Sequence, residues 1–269
     1  MHPLSVLLLG DAEQAEFGEA QACLRRGTPI HEARDLDAAA SLAQRESPDL
    51  IVVAQSRPGQ FSHAALHRLR RLAPLAPIVG LMGSWCEGET RTGSPWPASA
   101  RLYWHQWPTR CKRQLARIAN GRPSPWTLPA TATEEERLLA DIEAHGSETP
   151  RTTATRGLVA IRSLSSETAA WLLTACRSRG LAAVWQRRPP DARTQDATAA
   201  IFDAADLSNA EFAELGRFAA AMRPCPLIAL LSFPRIDDQR RALSAGATVT
   251  LSKPLAIEDL FWEIDRSGQ

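Results

Sequence analysis

The sequence predicts an α/β protein: two doubly wound, five-stranded parallel-sheet domains joined by a linker with one short helix. Three observations carry the prediction. Strand-sized apolar runs alternate with helical patterns of roughly 10–15 residues, the mark of βαβ units. The alternation is stated twice, over 1–120 and again over 156–269. Between the two passes, 121–155 is rich in Pro, Ser, Thr and Gly at both its ends, as linkers are.

The first pass opens on "SVLLLGD", a continuous apolar run ending at a Gly-Asp turn. A run of that kind suits a strand buried on both faces. "AEFGEAQACLRRG" follows, with Phe17, Ala20, Cys23 and Leu24 at helical spacing and Gly27 as the stop. "TPIHEA" reads as an edge strand, "LDAAASLAQRES" as a helix and "PDLIVVA" as a buried strand. "FSHAALHRLRRLAP" is a helix with a basic outer face, and "APIVGLMG" is the fourth strand. "SWCEGETRTGSPWPASA" reads as an enlarged loop or a replaced helix. "SARLYWHQWP" closes the sheet and "RCKRQLARIA" is the final helix.

The second pass repeats the order. "RGLVAIRS" is a strand, "SSETAAWLLTACRSRG" a helix opening on a Ser-rich cap and stopping at Gly180, and "LAAVWQ" an edge strand. "DATAAIFDA" is a buried strand, "NAEFAELGRFAAAM" a helix and "PCPLIALLS" a strand. "DDQRRALSAG" is a helix, "ATVTLSKP" the last strand and "AIEDLFWEID" the last helix. Inside the linker, "TEEERLLADIEAHG" predicts a short helix that starts on a Thr133 capping box and stops at Gly146. Leu138, Leu139 and Ile142 would form its apolar stripe, fit to dock on a neighbouring domain.

Composition narrows the function. The 269 residues carry a formal charge of +1, which argues against nucleic acid or an anionic membrane surface as partner. Apolar runs such as "LIVVA" and "PLIALL" are too short to span a bilayer. "MHPLSVLLLGD" lacks the basic start and the length of a signal peptide, so a cytoplasmic location is expected. Five dispersed cysteines with no CxxC read as free buried thiols rather than a disulfide framework or a zinc site.

Two segments give the pattern a family. "SAGATVTLSKPLAIEDL" (244–260) and "SPDLIVVAQSRPG" (47–59) resemble motifs of the receiver domain of bacterial two-component response regulators, a flavodoxin-like fold. The first is similar to the segment that carries the receiver lysine before a cis-prone Lys-Pro bond. The second is similar to the strand and loop that carry the phosphoacceptor aspartate. The resemblance covers nearly all of the chain outside the linker. It implies an aspartate nucleophile, a Mg²⁺ ion held with the help of two acidic residues after the first strand, a Ser or Thr after the fourth strand, and a lysine after the fifth. Hard cations want carboxylates, and lysine neutralises developing phosphoryl charge.

Carried over position by position, the second half keeps three of these residues: Asp203 at the acceptor position, Ser232 at the hydroxyl position and Lys253 at the lysine position. The gaps of 29 and 21 residues each fit one strand-helix-strand unit. The acidic pair is missing. Its place falls on about Ser163 and Leu164, with Arg162 just before, while Glu167 and Asp206 lie off the pattern. Mg²⁺ at Asp203 would therefore be weak, and no cofactor is expected. The first half has lost more. Its acidic pair is reduced to Gly10 and Asp11, its acceptor position is Ala54, its hydroxyl position is near Met82 or Gly83, and Trp107 replaces the lysine before Pro108.

The resemblance implies tandem degenerate receivers: a non-catalytic adaptor or regulator working through contacts with a histidine kinase, a response regulator or a downstream effector. Lys253 then pairs with Asp203 as a structural remnant. The alternatives are a phosphorelay component phosphorylated on Asp203 and an enzyme on a flavodoxin-like fold. The last finds no GxGxxG, Walker or G-x-S-x-G motif to support it. Receivers pair through the face of the fourth and fifth strands, which makes a homodimer one form open to the chain. His63 and His67 have metal-ligand spacing but no third ligand, so a surface helix is expected. Trp96, Trp104, Trp107 and Trp126 fill space at the emptied site, with partner anchoring as the other reading. Arg68, Arg70 and Arg71 read as a solvated helix face, without the context of a DNA reader.

Overall fold

The computed structural model describes residues 4–26, 28–96, 98–122, 124–129, 131–133, 135–137, 139–140, 156–187, 194 and 196–267. The chain divides into two compact units, Met1–Glu148 and Thr149–Gln269.

Unit 1 is a parallel sheet in the order β2-β1-β3-β4-β5: β1 Val6–Leu9, β2 Ile30–Ala33, β3 Leu50–Gln55, β4 Ile78–Met82 and β5 Ala100–Tyr103. The three central strands β1, β3 and β4 are buried at every position, as a sheet covered by helices on both faces requires. Those helices are α1 Gly18–Arg25, α2 Leu36–Glu46, α3 His63–Leu72 and α5 Trp107–Ala119; α4, Glu89–Thr92, is a single turn. Phe17, Ala20, Cys23 and Leu24 are all buried, as their spacing predicts. Asp35 and Ser62 cap α2 and α3, each accepting from the backbone N–H three residues on; such caps satisfy donors that would otherwise be orphaned.

Unit 2 repeats the design. β6 Arg156–Ser163, β7 Leu181–Gln186, β8 Ala197–Asp203, β9 Leu227–Ser232 and β10 Val249–Lys253 form a parallel sheet of order β7-β6-β8-β9-β10. Helices α6 Ser166–Ser178, α7 Asn209–Met222, α8 Ile236–Ser244 and α9 Ile257–Ser267 connect and cover it. Ser165 and Ser208 cap α6 and α7 in the same way. One face of the sheet packs Phe202, Phe212, Leu215 and Phe218; the other packs Val159, Ile161, Leu172, Leu260 and Phe261. Both units are thus doubly wound, flavodoxin-like α/β folds, and in both the order reverses between the first and third strands. Ligand sites of such sheets form there, at the carboxyl ends of the strands.

Two details of unit 1 differ from the sequence reading. The last strand stops at Tyr103, and α5 begins at Trp107, earlier than Arg110. Pro108 explains this: its fixed φ and missing N–H suit the first turn of a helix. The start of the expected linker is also not loose. The hydroxyl of Ser124 donates to Gln114 Oε1 at 2.8 Å, and that of Ser99 donates to the carbonyl of Leu128 at 3.2 Å. Trp126 is buried with its ring 5.2 Å from that of Trp107. Further on, the Thr133 hydroxyl accepts from the Glu136 N–H while Glu136 accepts from the Thr133 N–H, the reciprocal capping box expected there. Leu139 is half exposed; Leu138, Ile142 and Gly146 lie outside the described residues.

Candidate functional site

In unit 2 the register builds the site. β6 and β8 are neighbours with Ser163 opposite Asp203; β9 and β10 are neighbours with Ser232 opposite Lys253. All four residues therefore end their strands at one edge, across the switch point. Lys253 Nζ donates to Asp203 Oδ1 at 2.6 Å and to the carbonyl of Ala204 at 2.9 Å. The Ser163 hydroxyl donates to Asp203 Oδ2 at 2.7 Å. Both carboxylate oxygens thus carry a donor. The carboxylate is buried, whereas the lysine side chain is about a quarter exposed. Ser163 is itself held: the Ser165 N–H donates to its hydroxyl oxygen at 3.1 Å, and the Trp185 indole N–H donates to its carbonyl at 3.1 Å. Ser232 stands half-buried on the adjoining strand end, with no hydrogen bond to Asp203 or Lys253 among the described residues. The Lys253–Pro254 peptide is cis.

The donor set does not fit a hard divalent cation. Of the two positions where the resemblance implies carboxylates, Ser163 supplies a hydroxyl already used on Asp203, and Leu164 turns an exposed apolar side chain outward. Asp206 folds back on its own loop, accepting from the Ser208 N–H. Arg162 turns to the α7 side, where it approaches Glu214 at 3.4 Å. Among the described residues, the charged group bonded to the buried carboxylate is Lys253, and no group of three or more metal-ligating side chains occurs.

Unit 1 shows how the same edge is filled when the acid is gone. The register places Gly10 beside Ala54, where Ser163 stands beside Asp203 in unit 2. Gly10 has φ +112°, and a Cβ there would lie 2.3 Å from the Ala54 carbonyl oxygen. Such a backbone position belongs to glycine, so no side chain can enter from this side. Asp11 is exposed and accepts from the Gln14 side-chain amide. The hydroxyl position falls on Gly83, whose Cβ would meet the Glu16 carboxylate and Ser56 backbone. The counterpart of Lys253 is Trp104, next in register after the Tyr103–Met82 pair, and not Trp107. The sequence reading matched Trp-Pro to Lys-Pro, but Trp107 lies in the first turn of α5, fully buried.

Next to Ala54 in β3, Gln55 anchors a buried polar network. Gln55 is fully buried; its amide donates to both Glu89 oxygens at 3.4 Å and accepts from the Trp96 indole at 2.6 Å. Arg101 pairs with Glu89 at 2.5 Å while its guanidinium lies 5.0 Å from the Trp96 ring centre. A satisfied network of this kind fixes a core in one arrangement. Sequence reasoning missed it; the signal available was a glutamine ending a run of buried apolar residues. Trp96, Trp104, Trp107 and Trp126 are all at most 3% exposed, so they are filling, not anchors for a partner. His63 bonds the Ser94 carbonyl from the start of α3, and Arg68 pairs with Asp37 on the surface, as a helix face does.

His105, just past β5, is buried against Tyr103 and Trp104, with Glu87 3.2 Å away. Burial depresses its pKa to about 4; the Glu87 carboxylate is a third exposed and does not offset this. In the unfolded chain a histidine titrates near 6.5. Between those values only the unfolded state takes up the proton. His105 thus costs no stability above about pH 6.5, and stability falls as pH drops from there toward 4, by roughly 3 kcal/mol at the lower limit. Urea unfolding of the wild type and His105→Gln at pH 7 and pH 4 measures it: the gap between the two proteins should shift by roughly that amount in favour of the variant. An unchanged gap would mean that the imidazole stays charged in the fold.

Each unit is thus a doubly wound parallel sheet of flavodoxin-like order, with an Asp–Lys pair at the carboxyl edge of unit 2. The chain is similar to a response regulator from Thermotoga maritima (16% identity, TM-score 0.37, 43% of this chain and 98% of that one). It is similar to a CheY-like response regulator from Mesorhizobium loti (19%, 0.35, 42% and 99%). A Burkholderia pseudomallei protein described as pilus assembly-related matches at 16%, 0.38, 44% and 95%. No family model and no curated protein sequence matches the chain.

Proposed function

We propose that the chain is a non-catalytic signalling protein. Its two receiver-like units act in the cytoplasm as an adaptor or regulator, through contacts with a histidine kinase, a response regulator or a downstream effector, independently of phosphorylation. One observation carries the reading: both oxygens of Asp203 are engaged from within the fold, by Lys253 and by Ser163, and Ser163 occupies a place where a metal-binding receiver needs an acid. A nucleophilic carboxylate must be free to attack, and phosphoryl transfer leans on a cation to neutralise charge. At the acceptor position of unit 1, Ala54 has no nucleophilic atom. Among the described residues no helix is long and apolar enough to cross a membrane.

The second reading, phosphorylation on Asp203, is favoured by the meeting of Asp203, Ser232 and Lys253 at one edge. Incubation with a small phosphodonor and Mg²⁺, followed by intact mass measurement, separates the two. The expected result is no gain. Addition of one phosphoryl group, lost in Asp203→Asn, would establish the phosphoacceptor and end the phosphorylation-independent reading.

A further inference from the structure

Five thiols are free, and two of them, Cys23 and Cys111, sit on neighbouring helices of unit 1. α1 packs along α5. Cys23, near the end of α1, sends its thiol to the carbonyl of Pro108 in the first turn of α5, Sγ to O 3.7 Å. Cys111 lies three residues further, on the same side of α5 as Pro108, so the two thiols are neighbours across the helix pair. Cys111 is fully buried; Cys23 keeps 7% of its surface open to solvent.

We propose that Cys23 and Cys111 are a thiol–disulfide modification site: a peroxide oxidises Cys23, and Cys111 resolves the product to an intramolecular disulfide that staples α1 to α5. The two sulfurs have distinct parts. Cys23 is the one of the two with surface open to solvent, and the Cys111 side chain, with Lys112 and Arg26, lowers its pKa from the ordinary thiol value, so Cys23 is the thiol that a peroxide meets. Burial pushes the Cys111 thiol well up. Thiolate is the nucleophile in such chemistry. The Cys23 thiolate attacks one peroxide oxygen, the O–O bond breaks, and hydroxide leaves and takes a proton to become water. The sulfenic acid so formed is then attacked by the Cys111 sulfur; the S–O bond breaks, and its oxygen departs as a second water with the Cys111 proton. Two thiols and one hydrogen peroxide give one disulfide and two waters. Selectivity follows from the remaining thiols: burial raises Cys86, and pushes Cys176 and Cys225 to about 11.

The test uses the full chain in reductant-free buffer, treated with hydrogen peroxide and then alkylated under denaturing conditions. The expected result is three alkylated cysteines out of the five, a Cys23–Cys111 peptide released by dithiothreitol, and no intermolecular product. Cys23→Ser and Cys111→Ser should each abolish the link. A triple variant replacing Cys86, Cys176 and Cys225 with serine should keep it, which leaves the test valid should either single variant fold poorly. Five alkylated thiols, overoxidation of Cys23 without a link, or a link to any other cysteine would overturn the proposal.

Discussion

Replacing Lys253 with alanine is expected to destabilise unit 2 by about 2–4 kcal/mol. Breaking a buried ion pair by removing one partner costs roughly 3–5 kcal/mol, because the other charge is left without compensation. Here the stranded partner is Asp203, 4% exposed. The Ser163 hydroxyl remains on Oδ2, and a lysine that was a quarter exposed was never fully desolvated; both place the cost toward the lower part of that range. The Ala204 carbonyl also loses its donor. The reverse variant, Asp203→Ala, should cost less, since a lysine near the surface can carry its ammonium out to water. That ordering is specific to a structural pair with its carboxylate inside. Asp203→Asn with Lys253→Met should recover at least half of the loss, the side-chain carbonyl of asparagine still accepting from Ser163. Denaturant unfolding gives the magnitudes, and hydrogen exchange assigns them: protection should fall at the ends of β6, β8 and β10 and stay unchanged in unit 1. A loss below about 0.5 kcal/mol for Lys253→Ala, the size usual for exposed pairs, would show that the pair does not organise the edge.

The parts of this site differ in how plainly the sequence states them. The Asp203–Lys253 pair is legible because strand length, parallel order and crossover length together force two residues 50 apart to one edge. The central strands are legible for a related reason: runs such as Val6–Leu9 and Leu50–Ala54 are buried on both faces and read as unbroken apolar segments. The bond from Ser163 is not legible, since a serine ending a strand is ordinary until its register with Asp203 is known. Trp107 misled for a definite reason. A tryptophan before a proline imitates the lysine-proline step, yet here the proline begins a helix and the strand has already ended at Tyr103. The network on Gln55 was hidden because Glu89 and Arg101 come from a loop turn and an edge strand, whose meeting no periodicity announces.

The segment after α5 shows the same limit and yields the last large effect. Its Pro, Ser and Thr content reads as linker, and a linker tryptophan can be cut to alanine at no cost. Trp126, however, is 1% exposed and lies on Trp107, which is wholly buried. Trp126→Ala is therefore expected to destabilise unit 1 by roughly 3–5 kcal/mol, the range for a large aromatic removed from a core. The exact figure depends on how far the freed segment collapses onto α5. Two bonds should report the detachment along with it: Ser124 to Gln114 and Ser99 to the Leu128 carbonyl. Gln114 is almost fully buried, so its side-chain oxygen would either take up water or stay unsatisfied, adding to the loss. Proteolysis under native conditions should then cut between 121 and 129 in the variant and spare the wild type. Equal stability and equal protease resistance of the two would mean that the segment is a tether that rests on unit 1 without supporting it. A loss of the expected size would extend unit 1 beyond its fifth helix, with Trp126 as the side chain that closes its base.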